Sequence, residues 1–213
     1  MTKIKISKDG PYLVSGKIPV NQQKTVFDSE GNPLKTEITK NLCSDEKTAL
    51  CRCGGSANKP FCDGTHQKNG FDGTENPDNL IIDPSDAEIF TGPDLTLQDT
   101  PRLCAGAGFC HRAGGTWQLT QESDNPKLKK IAVEECHCCP SGRLVAIDPK
   151  TGQDIEPKAS PAIGVDPSGP LCLQGDIPLE SADGQPYPSQ SKRTLCRCGK
   201  SRNKPFCDGS HFT

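Results

Sequence analysis

With 213 residues, only 32% hydrophobic and 5% aromatic against 21 glycines and 19 prolines, the chain has room for two or three small units. Each has too little apolar surface to offset chain entropy without extra cross-links. A formal net charge of -2 with dispersed Lys and Arg gives no basic field for nucleic acid, and no run approaches the ~20 apolar residues of a membrane helix, so neither partner is expected. Thirteen cysteines, an odd number grouped as Cys-x-Cys and Cys-Cys with no secretory leader before them, point to bound metal in a reducing, cytoplasmic setting rather than to disulfides.

In chain order, the first 71 residues show short alternating or β-branched runs, "YLVSGKIPV" and "LKTEIT", broken by Gly, Pro and Asp, which predict brief strands and turns. Residues 72–165 differ: "NLIIDP" predicts a strand, then after "CAGAGFC" come "PKLKKIAVEEC", which predicts an amphipathic helix, and "RLVAID", another strand, in all a small α+β unit. The Pro-rich "EPKASPAIGVDPSGP" is its expected linker to residues 166–213, where "LCLQGDIPL" again predicts short strands.

The last segment echoes the first. "GPYLVSGKIPV" from Gly10 answers "GPLCLQGDIPL" from Gly169, and "CRCGGSANKPFCDGTH" from Cys51 answers "CRCGKSRNKPFCDGSH" from Cys196. Gly10 precedes Cys51 by 41 residues and Gly169 precedes Cys196 by 27, so the first copy carries about fourteen extra residues, "KTEITKNLCSDEK" among them. Cys43 in that insertion reads as a solvated loop thiol. Cys172, opposite Leu13 of the other copy, reads as a small buried strand residue.

In an extended segment residues i and i+2 project to one side, so Cys51 and Cys53 can face one site. If "CDGTH" opens a helix, Cys62 and His66 stack one turn apart on one face. Cys196, Cys198, Cys207 and His211 repeat the set. Zinc accepts three cysteines and a histidine, but structural zinc sites favour two to four residues between paired cysteines, whereas each iron of a two-iron, two-sulfide cluster needs only two protein ligands.

Cys-x-Cys-x2-Ser-x3-Pro-x-Cys-Asp-Gly-(Ser/Thr)-His resembles the signature of the CDGSH iron-sulfur (NEET) proteins. Both copies match at every fixed position, through Cys51, Cys53, Ser56, Pro60, Cys62, Asp63, Gly64, Thr65 and His66, and through Cys196, Cys198, Ser201, Pro205, Cys207, Asp208, Gly209, Ser210 and His211. The resemblance implies two 2Fe-2S clusters, each with the Cys-x-Cys pair on an inner iron and the third cysteine and histidine on an outer one. It also implies intertwined β-strands, so that the tandem chain would be an internal pseudo-dimer, sufficient as a monomer. The expected fold class is thus β-rich α+β, two such modules flanking a ferredoxin-like unit.

The expected function is electron transfer or cluster storage and delivery to a redox or cluster-acceptor protein, with no enzymatic turnover. The alternative is a zinc-stabilised structural or interaction protein. Three thiolates and one neutral imidazole would leave an oxidised two-iron core with a single net negative charge that one electron doubles, and histidine, with an ordinary pKa of about 6.5, would link proton to electron. Asp63 and Asp208 are expected to accept from free amides, Gly64 and Gly209 to bring amides near sulfur, and Pro60 and Pro205 to direct the chain. Ser56 and Ser201 read equally as donors to sulfur or as turn residues, and Arg52 and Arg197 as solvated side chains.

In the middle unit, Cys104 and Cys110 with Cys139-Pro140 resemble the single-cluster ferredoxins, except that Ala107 stands where the middle ligand belongs. A three-iron cluster on Cys104, Cys110 and Cys139, a four-iron one recruiting Cys136 or Cys138, and a structural remnant all remain open. His111 and His137 read as polar surface or core residues, and Trp117 as a packing anchor.

Overall fold

The computed structural model describes residues 2–80 and 84–213. The first copy supplies strands β1 (Lys3–Ile6), β2 (Tyr12–Ser15), β3 (Val20–Phe27), β4 (Pro33–Cys43) and β5 (Lys47–Leu50). The middle unit contributes β6 (Glu88–Thr91), β7 (Thr96–Asp99), helices α1 (Thr116–Gln121) and α2 (Pro126–Cys138), and β8 (Leu144–Ile147). The second copy adds β9 (Ala162–Val165), β10 (Leu171–Gln174), β11 (Leu179–Glu180) and β12 (Lys192–Leu195). The architecture is β-rich with few helices, and among the described residues no helix is long and apolar enough to cross a membrane.

The two copies exchange a strand. One sheet runs β11-β1-β2-β5 and the other β12-β10-β9-β3-β4, so β11 of the second copy closes the sheet of the first, while β3 of the first does the same for the second. Both exchanged pairings are parallel, Ile4 facing Leu179 and Val20 facing Ile163. The side-chain period of two along these strands turns Ile4, Ile6, Val14, Ile163, Val165, Leu171 and Leu173 into one buried cluster shared by both copies. Val20 and Leu179 are buried there, as are Ile18 and Ile177 of the repeated Ile-Pro step; each contributes about 1.5–3 kcal/mol by leaving water.

The Pro-rich stretch expected to be linker contains β9, a full member of the second sheet, because Ile163 and Val165 alternate inward between its prolines. The extra residues of the first copy lengthen β4 into a hairpin with β3, turned at Asp28, whose carboxylate accepts from the Glu30 and Asn32 amides at 2.9 and 2.8 Å. Cys43 therefore ends a strand and packs against the shared core rather than lying in a solvated loop. Cys172 is a strand residue as expected, though half-buried.

The middle unit packs α1 and α2 on the sheet β6-β7-β8 around Leu95, Leu97, Leu119, Ala132, Cys136, Leu144 and Ala146. The predicted helix forms because Asn125 caps it, accepting from the Lys127 amide at 3.0 Å, with Pro126 in the first turn and Ala132, Glu135 and Cys136 on its inner stripe. Of the predicted strand "NLIIDP", Asn79 and Leu80 lie in a tight 3-10 turn (Pro77–Leu80), and 81–83 are outside the described residues. Trp117 packs against this core and donates to Asp99 at 3.0 Å.

Strand exchange makes the copies inseparable without unfolding. Cleavage at a protease site engineered between Ala159 and Ser160, both exposed, should leave two pieces that co-elute in size exclusion and separate only in denaturant. Pieces that part under native conditions would contradict the exchanged pairing.

Candidate metal centres

β5 delivers Cys51 directly. Its amide donates to the Pro60 carbonyl at 2.7 Å, the Cys62 amide donates to Ala49 at 2.8 Å, and Leu50 pairs with Phe61, so the first and third cysteines sit on neighbouring antiparallel segments. Cys196 and Cys207 are placed by the same bonds, at 2.8 Å to Pro205 and 3.0 Å to Thr194. The peptide bonds before Pro60 and Pro205 are both cis.

The expected convergence is present. Cys51 and Cys53 sulfurs lie 3.8 Å apart, and Cys62 Sγ lies 3.5 Å from His66 Nδ1; in the second copy the distances are 3.7 and 3.3 Å. The histidines are not brought round by an α-helix: Gly64 and Gly209, each at φ 85°, turn the chain into one 3-10 turn, Thr65–Gln67 and Ser210–Phe212. Only glycine holds that left-handed turn without strain.

These separations suit metal chelation. Two sulfurs about 2.3 Å from a tetrahedral metal lie about 3.8 Å from each other, and a sulfur and an imidazole nitrogen about 3.5 Å. Each cradle thus offers two donor pairs, each at a chelating separation. Burial pushes Cys51 upward and Cys207 up to about 11, while Cys198 is drawn down by a hydrogen bond from Cys196 that raises its donor. Thiols so placed cannot all ionise together alone, and a cation is what would hold them as thiolates. The Gly55, Gly64 and Lys200 amides point at Cys53, Cys62 and Cys198 sulfurs at 3.4, 3.5 and 3.5 Å, the expected outer support of a thiolate ligand.

The serines are turn residues. Ser56 donates to the Phe61 carbonyl and accepts from the Asn58 amide, and Ser201 repeats both bonds with Phe206 and Asn203, so neither hydroxyl is free for sulfur. Asp63 ties Thr65 to Ala57 across the loop; donation from the Thr65 hydroxyl and the two amides holds its carboxyl near 2. Asp208 does the same between Ser210 and Arg202.

Arg52 and Arg197 are not solvated, at 1% and 7% exposure. Arg52 donates to the Gly73 carbonyl at 2.5 Å and lies 5.6 Å from the Tyr12 and Phe71 rings. Arg197 donates to Asp166, Pro167 and Gly169 carbonyls. Burial lowers the Arg197 pKa, and the charges of Cys51 and Cys198 act against that. The repeated "CRC" was the available signal, but its partner carbonyls are distant in sequence.

The two cradles stand back to back. Cys53 and Cys198 form an antiparallel bridge across the joint, and a Cβ on Gly54 or Gly199 would strike the backbone of the opposite cysteine. Tyr12 of the first copy places its hydroxyl 2.8 Å from the Cys196 carbonyl and 3.1 Å from that of Pro205.

In the middle unit Cys104, Cys110 and Cys139 line one small cavity with Pro140 and Arg143, and the loop between the first two turns at Gly106 and Gly108 with positive φ. Arg143, held by Asp99 at 2.6 and 2.8 Å, also faces Cys104. Burial and the neighbouring Cys139 push Cys110 up to about 11. Cys136 lies in the core beneath, while Cys138 donates to the Leu34 carbonyl of the β3-β4 hairpin at 3.2 Å. His111 is exposed and His137 half-buried, neither with these cysteines.

Residues 9–67 and 168–212 match the family described as iron-binding zinc finger CDGSH type, and residues 90–149 match that described as divergent 4Fe-4S mono-cluster. The chain is 46% identical over 48 residues to the mouse protein "CDGSH iron-sulfur domain-containing protein 3, mitochondrial", an alignment covering 22% of this chain and 31% of that relative, about a third of its length. No solved structure matches significantly.

The back-to-back contact sets a mutational contrast. Gly54→Ala combines positive φ with a backbone clash and should cost about 3 kcal/mol or more, about 5–10 °C in melting temperature. Gly31→Ala, at φ 86° but in open space, should cost about 1 kcal/mol. Equal melting shifts by circular dichroism would contradict the contact.

Proposed function

The chain belongs to the CDGSH iron-sulfur protein family, and on that premise we propose that it carries a 2Fe-2S cluster on Cys51, Cys53, Cys62 and His66 and another on Cys196, Cys198, Cys207 and His211. It serves electron transfer or the storage and delivery of clusters to an acceptor protein, rather than substrate turnover. The observation that carries the reading is the paired geometry, repeated in both copies: two sulfurs about one tetrahedral edge apart, and a sulfur and an imidazole likewise.

When bound, such a cluster supplies reversible one-electron storage. The chain's own part is to hold the donors, aim amides at the sulfurs and set a buried positive charge beside them through Arg197. The histidines sit at the half-buried outer edge of each cradle, the side from which a partner would approach. Strand exchange and the mutual packing of the Cys-x-Cys loops support the reading as an internal pseudo-dimer. Cys104, Cys110 and Cys139, converging on one cavity, are the donors of a third candidate iron-sulfur site.

Protein isolated without oxygen should be red-brown, with about four irons and four acid-labile sulfides per chain from the outer sites, and any surplus should vanish in Cys104→Ser. Zinc without sulfide would overturn the reading. His66→Cys replaces a neutral ligand with a thiolate, and the added negative charge should lower that site's reduction potential by about 100 mV or more in a redox titration.

A further inference from the structure

The two motifs are nearly identical in sequence, yet the fold surrounds them differently. The turn between second and third cysteines joins the two donor pairs of each cradle, so how firmly it is held bears on how readily a cradle opens. In the second copy that turn, 202–205, is fastened from outside. Asn79, buried to 1% exposure, donates to the Asn203 side chain at 2.9 Å and to the Asn203 and Lys204 carbonyls at 3.1 and 3.3 Å; the Asn76 amide donates to Lys204 at 2.7 Å, and Asn203 donates to the Arg102 carbonyl at 3.1 Å. Tyr12 adds its hydroxyl between the Cys196 and Pro205 carbonyls.

The middle unit also touches this site's last turn. The Phe212 ring lies against Gly106, where a Cβ would be 3.1 Å from it, and Gly209 faces the Ala105 carbonyl. The outcome is visible in burial: Cys207 and Phe206 are 2% and 3% exposed, whereas their counterparts Cys62 and Phe61 are half-buried. Asn58 and Lys59, in the place of Asn203 and Lys204, are exposed. Local opening costs least where backbone bonds face water and external contacts are few.

We propose that the two CDGSH sites have divided roles, the second being a retained site locked by Asn76, Asn79 and the Arg102–Gly106 backbone and the first an exchange port from which iron and sulfide leave. This rests on the reading that both cradles hold clusters. Loss to a ferric chelator breaks three iron-thiolate bonds, one iron-imidazole bond and the four iron-sulfide bonds of the core; the freed thiolates and both sulfides take protons from solvent, the chelator takes the two ferric ions, and no electron is exchanged.

The test is bleaching of the full chain by excess EDTA at neutral pH, followed by visible absorbance and released iron. Wild-type protein should bleach in two phases, the slow one at least about tenfold slower, the factor one net hydrogen bond of ordinary strength supplies. Cys207→Ser, which leaves the first site, should retain the fast phase, and Cys62→Ser the slow one. Asn79→Ala should speed the slow phase about tenfold and leave the fast one unchanged; Phe212→Ala, on an exposed ring, should speed it in the same direction without risk to folding. A single rate in wild-type protein, or slow bleaching in Cys207→Ser with fast bleaching in Cys62→Ser, would overturn the division. Absence of iron and sulfide from the starting protein would instead overturn the cluster reading beneath it.

Discussion

Everything in the outer modules depends on the joint where the backbones of Cys53 and Cys198 pair. Each Cys-x-Cys loop is the floor of the other, and glycine at the next position in both copies is what lets two main chains come that close. The exchanged strands β3 and β11 make the joint permanent, because neither sheet is complete without a strand of the other copy. A ligand loop with few apolar neighbours of its own thereby borrows rigidity from a core of both copies, which is how a chain this poor in hydrophobic residues can hold a thiolate cage.

Buried charge is the second constraint. Arg52 and Arg197, both out of water, give their hydrogen bonds to backbone carbonyls rather than to carboxylates. Removing a guanidinium from water is expensive unless a compensating charge is near, and for Arg197 the charges of Cys51 and Cys198 act in that sense. The same residues close loops, Arg52 holding residue 73 and Arg197 the 166–169 turn, so that fold and electrostatics are set by one side chain in each copy. A placement that raises the cost of the empty state is consistent with a protein that folds around its contents.

The meeting of the candidate donors was legible because such spacing is local: Cys-x-Cys, then Cys-x3-His, written twice, fixes which atoms can meet whatever the rest of the chain does. Helix α2 was legible for a similar reason, its cap, proline and inner stripe all lying within thirteen residues. Strand partners were legible only as what the family resemblance implies, not in the residues themselves. An alternating run says that a strand exists and which face is wet, but nothing in "GKIPV" or "GDIPL" says that each joins the other copy's sheet. β9 was hidden by flanking prolines that mark linkers as often as strand ends, and the buried arginines by carbonyl partners tens of residues away. Asn79 looked like part of a strand, and only the tertiary structure shows it gripping the second site from more than a hundred residues off.

Covalent linkage changes what a duplicated site can become. In an assembly of identical chains any residue that fastened one cradle would fasten both, since symmetry repeats every contact. Once the copies share a chain, the segment between them can lie against one only, and here it leaves the first copy after residue 73, clamps the second copy's ligand turn with Asn76 and Asn79, and brings the Cys104–Cys110 loop against Phe212. The hairpin β3-β4, lengthened only in the first copy, reaches the same middle unit through Leu34 and Cys138. Both departures from the repeat meet on one side of the molecule, so the symmetric core and the asymmetric additions are separable layers: the first builds two equivalent cradles, and the second makes them unequal.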